Sequence, residues 1–409
     1  MINDKLKVLW VSFNPPTQKA SKGGGGTFNY YFKSLYEDKR FDIKLIALVH
    51  NNDELYKINE KDKYLLYNEN SIKEKINKLI NIESRYNPWN RNANMISNYA
   101  INFIKKSIRN ILKEGFCPDV VILEWTQCVV LAKLIAKAFP TAQLVASEHD
   151  ISYIGYQRKA EKSTGLINKL YMQYKAKHLK KVELNSLNGC SIIYPHNPDN
   201  IDVLIREGVP KERLKWLCPY YQKLDECEIV NNRNRDILFF GAMDRPENYL
   251  SAIWFIENVM PLLKDFDGIR FVILGSNPPP ALKKYTGDRI VVTGFVDSIK
   301  DYFENSLCFV APLILGAGIK IKVLEALSSG ILVLTNDIGI EGIHAENGKH
   351  YLRCETAEDY AGAIGKLIQG DVDITTIGLN AKQLVSAEYD YNRSIAEYKA
   401  TLTSMGDKK

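Results

Sequence analysis

Short apolar runs, each followed by a turn and an amphipathic stretch, recur along this chain of 409 residues, and that alternation leaves few folds open. KVLWVSF, FDIKLIALV, PDVVILEW and AQLVASEH have strand length and lead into polar or glycine turns. The pattern stops in the polar KLDECEIVNNRNR and restarts with DILFFGAM, IRFVILGS, RIVVTGF and ILVLT. Strands alternating with helices pair in parallel and bury both sheet faces. Two such series, in a chain longer than one core usually holds, predict two Rossmann-like α/β domains. Their expected bounds are 1–222 and 236–388, joined by a linker at 223–235 and followed by a last segment at 389–409. Helices are expected over Asn94–Leu112, over the segment TQCVVLAKLIAKAF, and as one long stretch over Arg158–Lys181. NGCSIIYPHN and LKWLCPYY read as the last two strands of the first domain, while Asn51–Asn92 is polar and carries no assignable pattern.

Charge divides unevenly between the halves. Up to Gln222 there are 34 Lys+Arg and 22 Asp+Glu, a net of +12; subtraction from the totals, 54 − 34 and 48 − 22, leaves 20 and 26, a net of −6. A basic first half suits an anionic partner such as a membrane surface or a lipid pyrophosphate. Nucleic acid is not expected, since no basic-aromatic recognition motif accompanies the charge. Arg158–Lys181 concentrates it, with Leu166, Ile167, Leu170, Tyr171, Tyr174 and Leu179 at helical spacing, so one face is expected to pack and the other to stay basic. That basic face is either simply solvated or a dock for anionic lipid. No apolar run approaches the roughly 20 residues that span a bilayer. The seven cysteines form an odd set without metal-ligand spacing, which predicts reduced thiols, a cytoplasmic protein and no metal site.

The chemistry concentrates in Ala311–Gly342, a strand end, a glycine turn, a short helix, the strand ILVLT and an acidic turn. Gly316 and Gly318 allow the backbone to approach a ligand where a Cβ would collide. Lys320 and Lys322 stand at the mouth of the helix, where free N–H groups and the helix dipole already favour an anion. Glu325 follows Lys322 by three residues and shares its face. A carboxylate beside a phosphate site repels it unless it accepts hydrogen bonds from sugar hydroxyls, so the group describes a nucleotide-sugar diphosphate pocket. In the first half, Gly23–Gly26 lie between the first strand and the first helix, as a loop at the ligand-binding edge of a parallel sheet. Glu148, His149 and Asp150 arrive together at another strand's carboxyl end.

The stretch resembles the donor-binding signature of retaining glycosyltransferases of family 4, with Lys320, Lys322, Glu325, Ala326, Gly330, Thr335, Gly339, Glu341 and Gly342 in place. The resemblance implies the GT-B architecture, two Rossmann-like domains facing across a cleft, with 389–409 as a helix crossing back to the first domain. It implies that Gly24, Gly25 and Gly26 lie against donor phosphates and acceptor, and that His149 faces the donor sugar as a catalytic residue with Lys322 and Glu325. Glu148 or Asp150 would take an acceptor-side role. The turn at Gly241, and the backbone at Gly294, Phe295 and Val296, would hold the nucleotide, together with Gly316, Gly318, Lys320 and Glu341.

Two departures stand out: the signature's first Glu is replaced by Ala317, and the usual Arg and Lys after the Gly241 turn are absent, with Ala242 and Glu247 or Asn248 in their place. Lys320 and Lys322, helped by Arg245, are expected to supply that charge. Asp371 and Asp373 mimic a metal-binding pair by chance, being far from the signature. The expected activity is metal-independent, retaining transfer of a sugar from a nucleotide diphosphate sugar, a UDP-sugar in first place, to a glycan, lipid-linked or protein acceptor in bacterial polysaccharide or protein glycosylation. The donor is a substrate, so no cofactor is expected, and the enzyme would work in the cytoplasm or peripherally on the inner membrane face. The rivals are a nucleotide-sugar 2-epimerase, which needs no acceptor, and a non-catalytic glycan-binding partner subunit of the same fold.

Overall fold

The computed structural model describes residues 5–18, 24–49, 54–67, 92–161, 163, 165–229, 234–316 and 318–406. Ala317, Gly23 and most of Asn51–Asn92 therefore lie outside the described residues. The chain divides into two compact units: unit 1, residues 1–218 with 391–409, and unit 2, residues 219–390. Each is built on a six-stranded, wholly parallel sheet, so the α/β class read from the alternating pattern holds in both.

In unit 1 the strands are β1 (Leu6–Ser12), β2 (Phe41–Val49), β3 (Lys63–Tyr67), β4 (Val120–Glu124), β5 (Gln143–Glu148) and β6 (Ile192–Pro195), in spatial order β3-β2-β1-β4-β5-β6. The pleat sorts their side chains to two cores. Leu9, Val11, Val121 and Leu123 face one layer of helices, while Val8, Trp10, Val120 and Ile122 face the other. The second core takes in Phe28 and Phe32 from the Gly24–Tyr36 helix, and Tyr398 and Leu402 from the last helix, Tyr391–Gly406. That last helix is fixed by Tyr398 against Tyr194 (ring centroids 4.8 Å apart) and by Ser394, whose Oγ lies 2.7 Å from the Tyr31 hydroxyl.

Four expectations for unit 1 are corrected. Gly24–Gly26 are not a loop but the first turn of the Gly24–Tyr36 helix, because the tripeptide is followed by an apolar helical stripe that pulls it into register. TQCVVLAKLIAKAF forms two short helices, Thr126–Val129 and Ala132–Ala138. LKWLCPYY forms no strand; it lies along β6 through the Leu214–Ile193 bridge and the N–H groups of Lys215 and Leu217, which donate to the Ile193 and Pro195 carbonyls. The basic stretch is two helices, Ser152–Glu161 and Leu166–Leu187, since Gly165 at φ +100° cannot continue the first.

Unit 2 carries β7 (Asp236–Phe240), β8 (Arg270–Leu274), β9 (Ile290–Gly294), β10 (Cys308–Ala311), β11 (Val333–Thr335) and β12 (Leu352–Arg353), in order β12-β11-β10-β7-β8-β9. The Ile321–Ser329 helix ends at Gly330 in the left-handed conformation, and Gly378 of the Ile374–Glu388 helix packs on the Gly330 carbonyl, where an added Cβ would come within 2.3 Å. Arg270 clamps Asp236 through two parallel 2.7 Å bonds at the start of the first two strands. None of the seven cysteines is in a disulfide, and among the described residues no helix is long and apolar enough to cross a membrane.

The tightest backbone approach in unit 2 is at Gly275, with φ +148° and a Cβ position 1.6 Å from the Gly241 carbonyl oxygen. Gly275→Ala is expected to destabilise by at least about 2 kcal/mol in urea unfolding, from strain and overlap together. Gly287→Ala, where a Cβ meets nothing within 4 Å, serves as the neutral comparison.

Candidate functional site

In both units the sheet order reverses beside the first strand, leaving a crevice at the carboxyl ends where open α/β sheets place ligands. The reversal lies between β1 and β4 in unit 1 and between β7 and β10 in unit 2. The predicted residues fall at these two places.

In unit 2, the loop after β10 turns through Gly316 (φ +134°) and Gly318 (φ +71°) before Lys320 opens the Ile321–Ser329 helix. A Cβ on Gly316 would sit 3.0 Å from Lys320 Cε, so the glycine makes room for that side chain. Lys320 is buried; its Nζ donates to the Gly318 carbonyl and to Glu341 Oε2 at 3.3 Å. Lys322, two residues along, is half-buried with its ammonium drawn inward, 4.8 Å from the Phe239 ring centroid and 2.5 Å from Asn248 Oδ1. Its hydrogen-bond partner is thus a neutral amide rather than a carboxylate. Desolvation, then the positive charge of Arg245, pushes the Lys322 ammonium down to about 7. Arg245 is largely exposed and paired with Glu247. Glu325 Oε1 accepts the Gln222 N–H at 3.2 Å, so the carboxylate is anchored one turn from Lys322.

Asn248 is the residue that the sequence marked only as a departure. Its amide donates to the Ala242 carbonyl at 2.7 Å while its oxygen holds Lys322. A Cβ on Gly241 would lie 2.8 Å from Asn248 Nδ2, so the glycine of that turn is what lets Asn248 reach across. Beyond β11, Thr335 donates to the Ala311 carbonyl at 2.8 Å and Gly339 packs on it with no space for a Cβ, 1.9 Å from Thr335 Oγ1. At the end of β9, Gly294 (φ +73°) turns the chain, leaving Val296 half-buried and Phe295 73% exposed as a flat apolar surface.

In unit 1, His149 meets partners that the sequence had not joined to it. Its Nε2 lies 2.6 Å from Glu124 Oε1, its ring stacks on Trp125 at 4.6 Å and 14°, and the His196 ring is centred 3.9 Å away. Glu124, at the end of β4, also accepts from Trp10 Nε1 at 2.9 Å and from Ser147 Oγ at 2.8 Å. Burial raises the Glu124 carboxyl to about 7 and lowers His149 to about 3, so the imidazole favours its neutral form and the carboxyl takes up a proton far more readily than an exposed one. Gly24 explains itself here: a Cβ would stand 2.6 Å from His149 Nδ1. Trp125 holds φ +64°, costly for a bulky side chain, and this conformation turns its indole over His149. Glu124, His149 and His196 each offer an atom within 4.8 Å of the others, but the 2.6 Å Glu124–His149 separation is that of a hydrogen bond, shorter than neighbouring ligands of one cation keep. The missed members, Glu124 and His196, share one signal with the predicted His149: all three stand at or just beyond a strand's carboxyl end, on adjacent strands.

Glu148 is corrected. The pleat turns it away from the crevice, to a fully buried position where its Oε2 accepts from Thr126 Oγ1 at 2.8 Å. Burial and the neighbouring Glu183 raise its carboxyl well above the usual range. Glu183 in turn accepts the N–H groups of Ser152 (2.9 Å) and Tyr153 (3.1 Å), capping the Ser152–Glu161 helix from the next one.

Residues 234–370 match the family model described as glycosyl transferases group 1. A protein in the cps region of Klebsiella pneumoniae is 24% identical over 167 residues; the alignment spans 38% of this chain and 43% of that relative, less than half its length. Among solved structures, sucrose-phosphate synthase from Thermosynechococcus elongatus is similar over 99% of this chain and 100% of that one, with TM-score 0.68 and 13% identity. Anabaena HepE in complex with UDP gives 0.64 at 12% identity over 98% and 100%, and a glycosyltransferase from Rickettsia africae gives 0.60 at 14% over 99% and 100%. These neighbours share the GT-B glycosyltransferase fold, which is therefore the fold of this chain.

Because burial disfavours both imidazolium ions, His149 and His196 are expected to remain neutral from pH 8 to pH 5 in nitrogen-detected NMR of the imidazole rings. A ring of either residue titrating near its ordinary value of about 6.5 would contradict the cluster's geometry.

Proposed function

We propose that this chain, with its GT-B fold and a second unit matching glycosyl transferases group 1, is a retaining glycosyltransferase acting on a nucleotide diphosphate sugar. A UDP-sugar is the first candidate donor, in keeping with the UDP complex of the Anabaena neighbour. A glycan, lipid-linked or protein acceptor is assigned to unit 1. The observation that carries the reading is Lys322: a desolvated ammonium at the switch point of unit 2, facing a neutral amide and repelled by Arg245 and Lys320. Arg245 and Lys320 oppose this ammonium while Glu247 and Glu325 support it, and an incoming anion would add to that support.

Each residue then has a task. The difficult step is charge building on the departing diphosphate, which Lys322, Lys320 and the free N–H groups opening the Ile321–Ser329 helix stabilise without rearranging. Fixed cations in this position make a divalent metal unnecessary. Glu325, held by Gln222, accepts from donor hydroxyls, while Glu341 keeps Lys320 in place. Gly294, Phe295 and Val296 offer a backbone turn and an exposed ring to the base. His149 acts on the sugar in its neutral form, oriented by Glu124, with Gly24 beside it. No cofactor takes part, since the donor is consumed.

Calorimetric titration with UDP, GDP and ADP, without divalent metal, tests the reading. One nucleotide is expected to bind, with affinity reduced at least about a hundredfold in Lys322→Ala. Absence of binding by all three overturns the enzyme reading in favour of a non-catalytic partner subunit. The same titration has a signed pH dependence. Free Lys322 has its ammonium near 7 and the complex raises it, so binding takes up a proton above that pH. Affinity should fall by up to about tenfold per pH unit above pH 7, a dependence absent from Lys322→Ala.

His149→Ala and Glu124→Gln separate positioning from binding. Both are expected to leave nucleotide affinity unchanged and to lower kcat by roughly 10²-fold for the first and less for the second. An equal loss of affinity would remove the assigned roles.

A further inference from the structure

The Leu166–Leu187 helix has apolar residues on two faces rather than one. Ala176, Leu179, Glu183 and Leu187 are buried and pack the helix onto unit 1. At 3.6 residues per turn, Ile167 and Tyr174 fall roughly opposite that stripe, Leu170 and Tyr171 roughly 130° from it, and Leu166 at the edge of the same face, roughly 95° away. They are exposed by 73%, 86%, 55%, 37% and 48%, so the packing expected of them from their spacing does not occur. Such a cluster of large apolar side chains on one solvent-facing surface calls for a partner.

Charge identifies the partner. Residues 162–182 contain no acidic side chain. Lys169 borders the stripe, and Lys177 and Lys181 continue its face one and two turns further on, all three exposed. Lys175 lies over the Tyr156 ring at 4.5 Å, and Lys180 pairs with Glu207 at 2.7 Å, holding two further cations beside the helix. A second copy of the chain on this face would bring its lysines against these, at a repulsive cost. An anionic phospholipid bilayer satisfies both features, taking the apolar side chains into its interface and the ammonium groups among its headgroups.

We propose that the Leu166–Tyr174 face, with Lys169, Lys177 and Lys181, docks unit 1 on an anionic lipid bilayer, Ile167 and Leu170 entering the headgroup boundary. This surface is independent of the donor chemistry assigned to unit 2. Nucleotide affinity measured in parallel therefore separates a failure of one reading from a failure of the other.

Vesicle co-sedimentation of the intact protein tests it. Phosphatidylglycerol-rich vesicles are expected to bind at least about tenfold more protein than phosphatidylcholine vesicles, with the difference lost at high salt. Ile167→Glu with Leu170→Glu, at positions too exposed to disturb the core, should lower binding about tenfold while circular dichroism and nucleotide affinity stay unchanged. Lys169→Gln, Lys177→Gln and Lys181→Gln together should abolish the preference for anionic lipid. Absence of vesicle binding, or equal binding by both variants, overturns the proposal. So does a dimer in light scattering that the Glu variant dissolves, which assigns the face to a second copy.

Discussion

An ammonium group held away from water and facing an amide is the constraint from which unit 2 is best understood. Lys322 is held below the usual ammonium range by burial, and the side chains around it pull both ways: Asn248 gives a lone pair and Phe239 a ring face, Arg245 and Lys320 repel, and Glu247 and Glu325 attract. Several otherwise arbitrary features follow. Gly241 lacks a Cβ because Asn248 must pass 2.8 Å from it; Gly275 lacks one because the Gly241 carbonyl fills that space. Gly316 yields to Lys320, and Glu341 then keeps Lys320 turned inward. The loops after β7, β10 and β11 are thus locked to one another through two lysines before any ligand arrives, which is what preorganised stabilisation of a departing anion requires.

Unit 1 meets the opposite problem. Its crevice holds an acid and a base instead of a cation, and burial drives Glu124 up and His149 down, which keeps the imidazole neutral. The cluster gains fixity from hydrogen bonds arriving from three strands, through Trp10, Ser147 and His196, and from the strained Trp125 that covers it. A neutral, oriented imidazole can accept or donate at a sugar hydroxyl without first shedding a proton to solvent.

Where meaning was carried by local spacing, the sequence was legible. The two series of strands, the restart after the polar segment and the placing of Gly316, Lys320, Lys322 and Glu325 in one turn-and-helix unit, with Glu341 in the turn after the next strand, all rest on residues close together in the chain. What it hid depends on distance or on phase. Glu124 and His149 are 25 residues apart and meet only because β4 and β5 are neighbours; Lys322 and Asn248, 74 apart, meet because β10 returns beside β7. Glu148 looked like part of a catalytic triplet because adjacency in a strand is invisible to the eye, whereas the pleat sends consecutive side chains to opposite faces. Gly24–Gly26 read as a loop from composition, although the stripe beginning at Phe28 carries the helix back through them.

The basic helix shows why periodicity alone could not assign its faces. Leu166, Ile167, Leu170, Tyr171 and Tyr174 repeat at the same three- and four-residue steps as residues that pack, and nothing in those steps says which stripe turns inward. Glu183 decides it. Its carboxylate caps the Ser152–Glu161 helix by accepting from Ser152 and Tyr153, which fixes the rotation of the long helix about its axis. With Glu183 inward, Ala176, Leu179 and Leu187 follow it into the core and the earlier apolar residues are turned to solvent. One buried carboxylate, the only acidic residue in a run of lysines, thus selects the face that unit 1 presents.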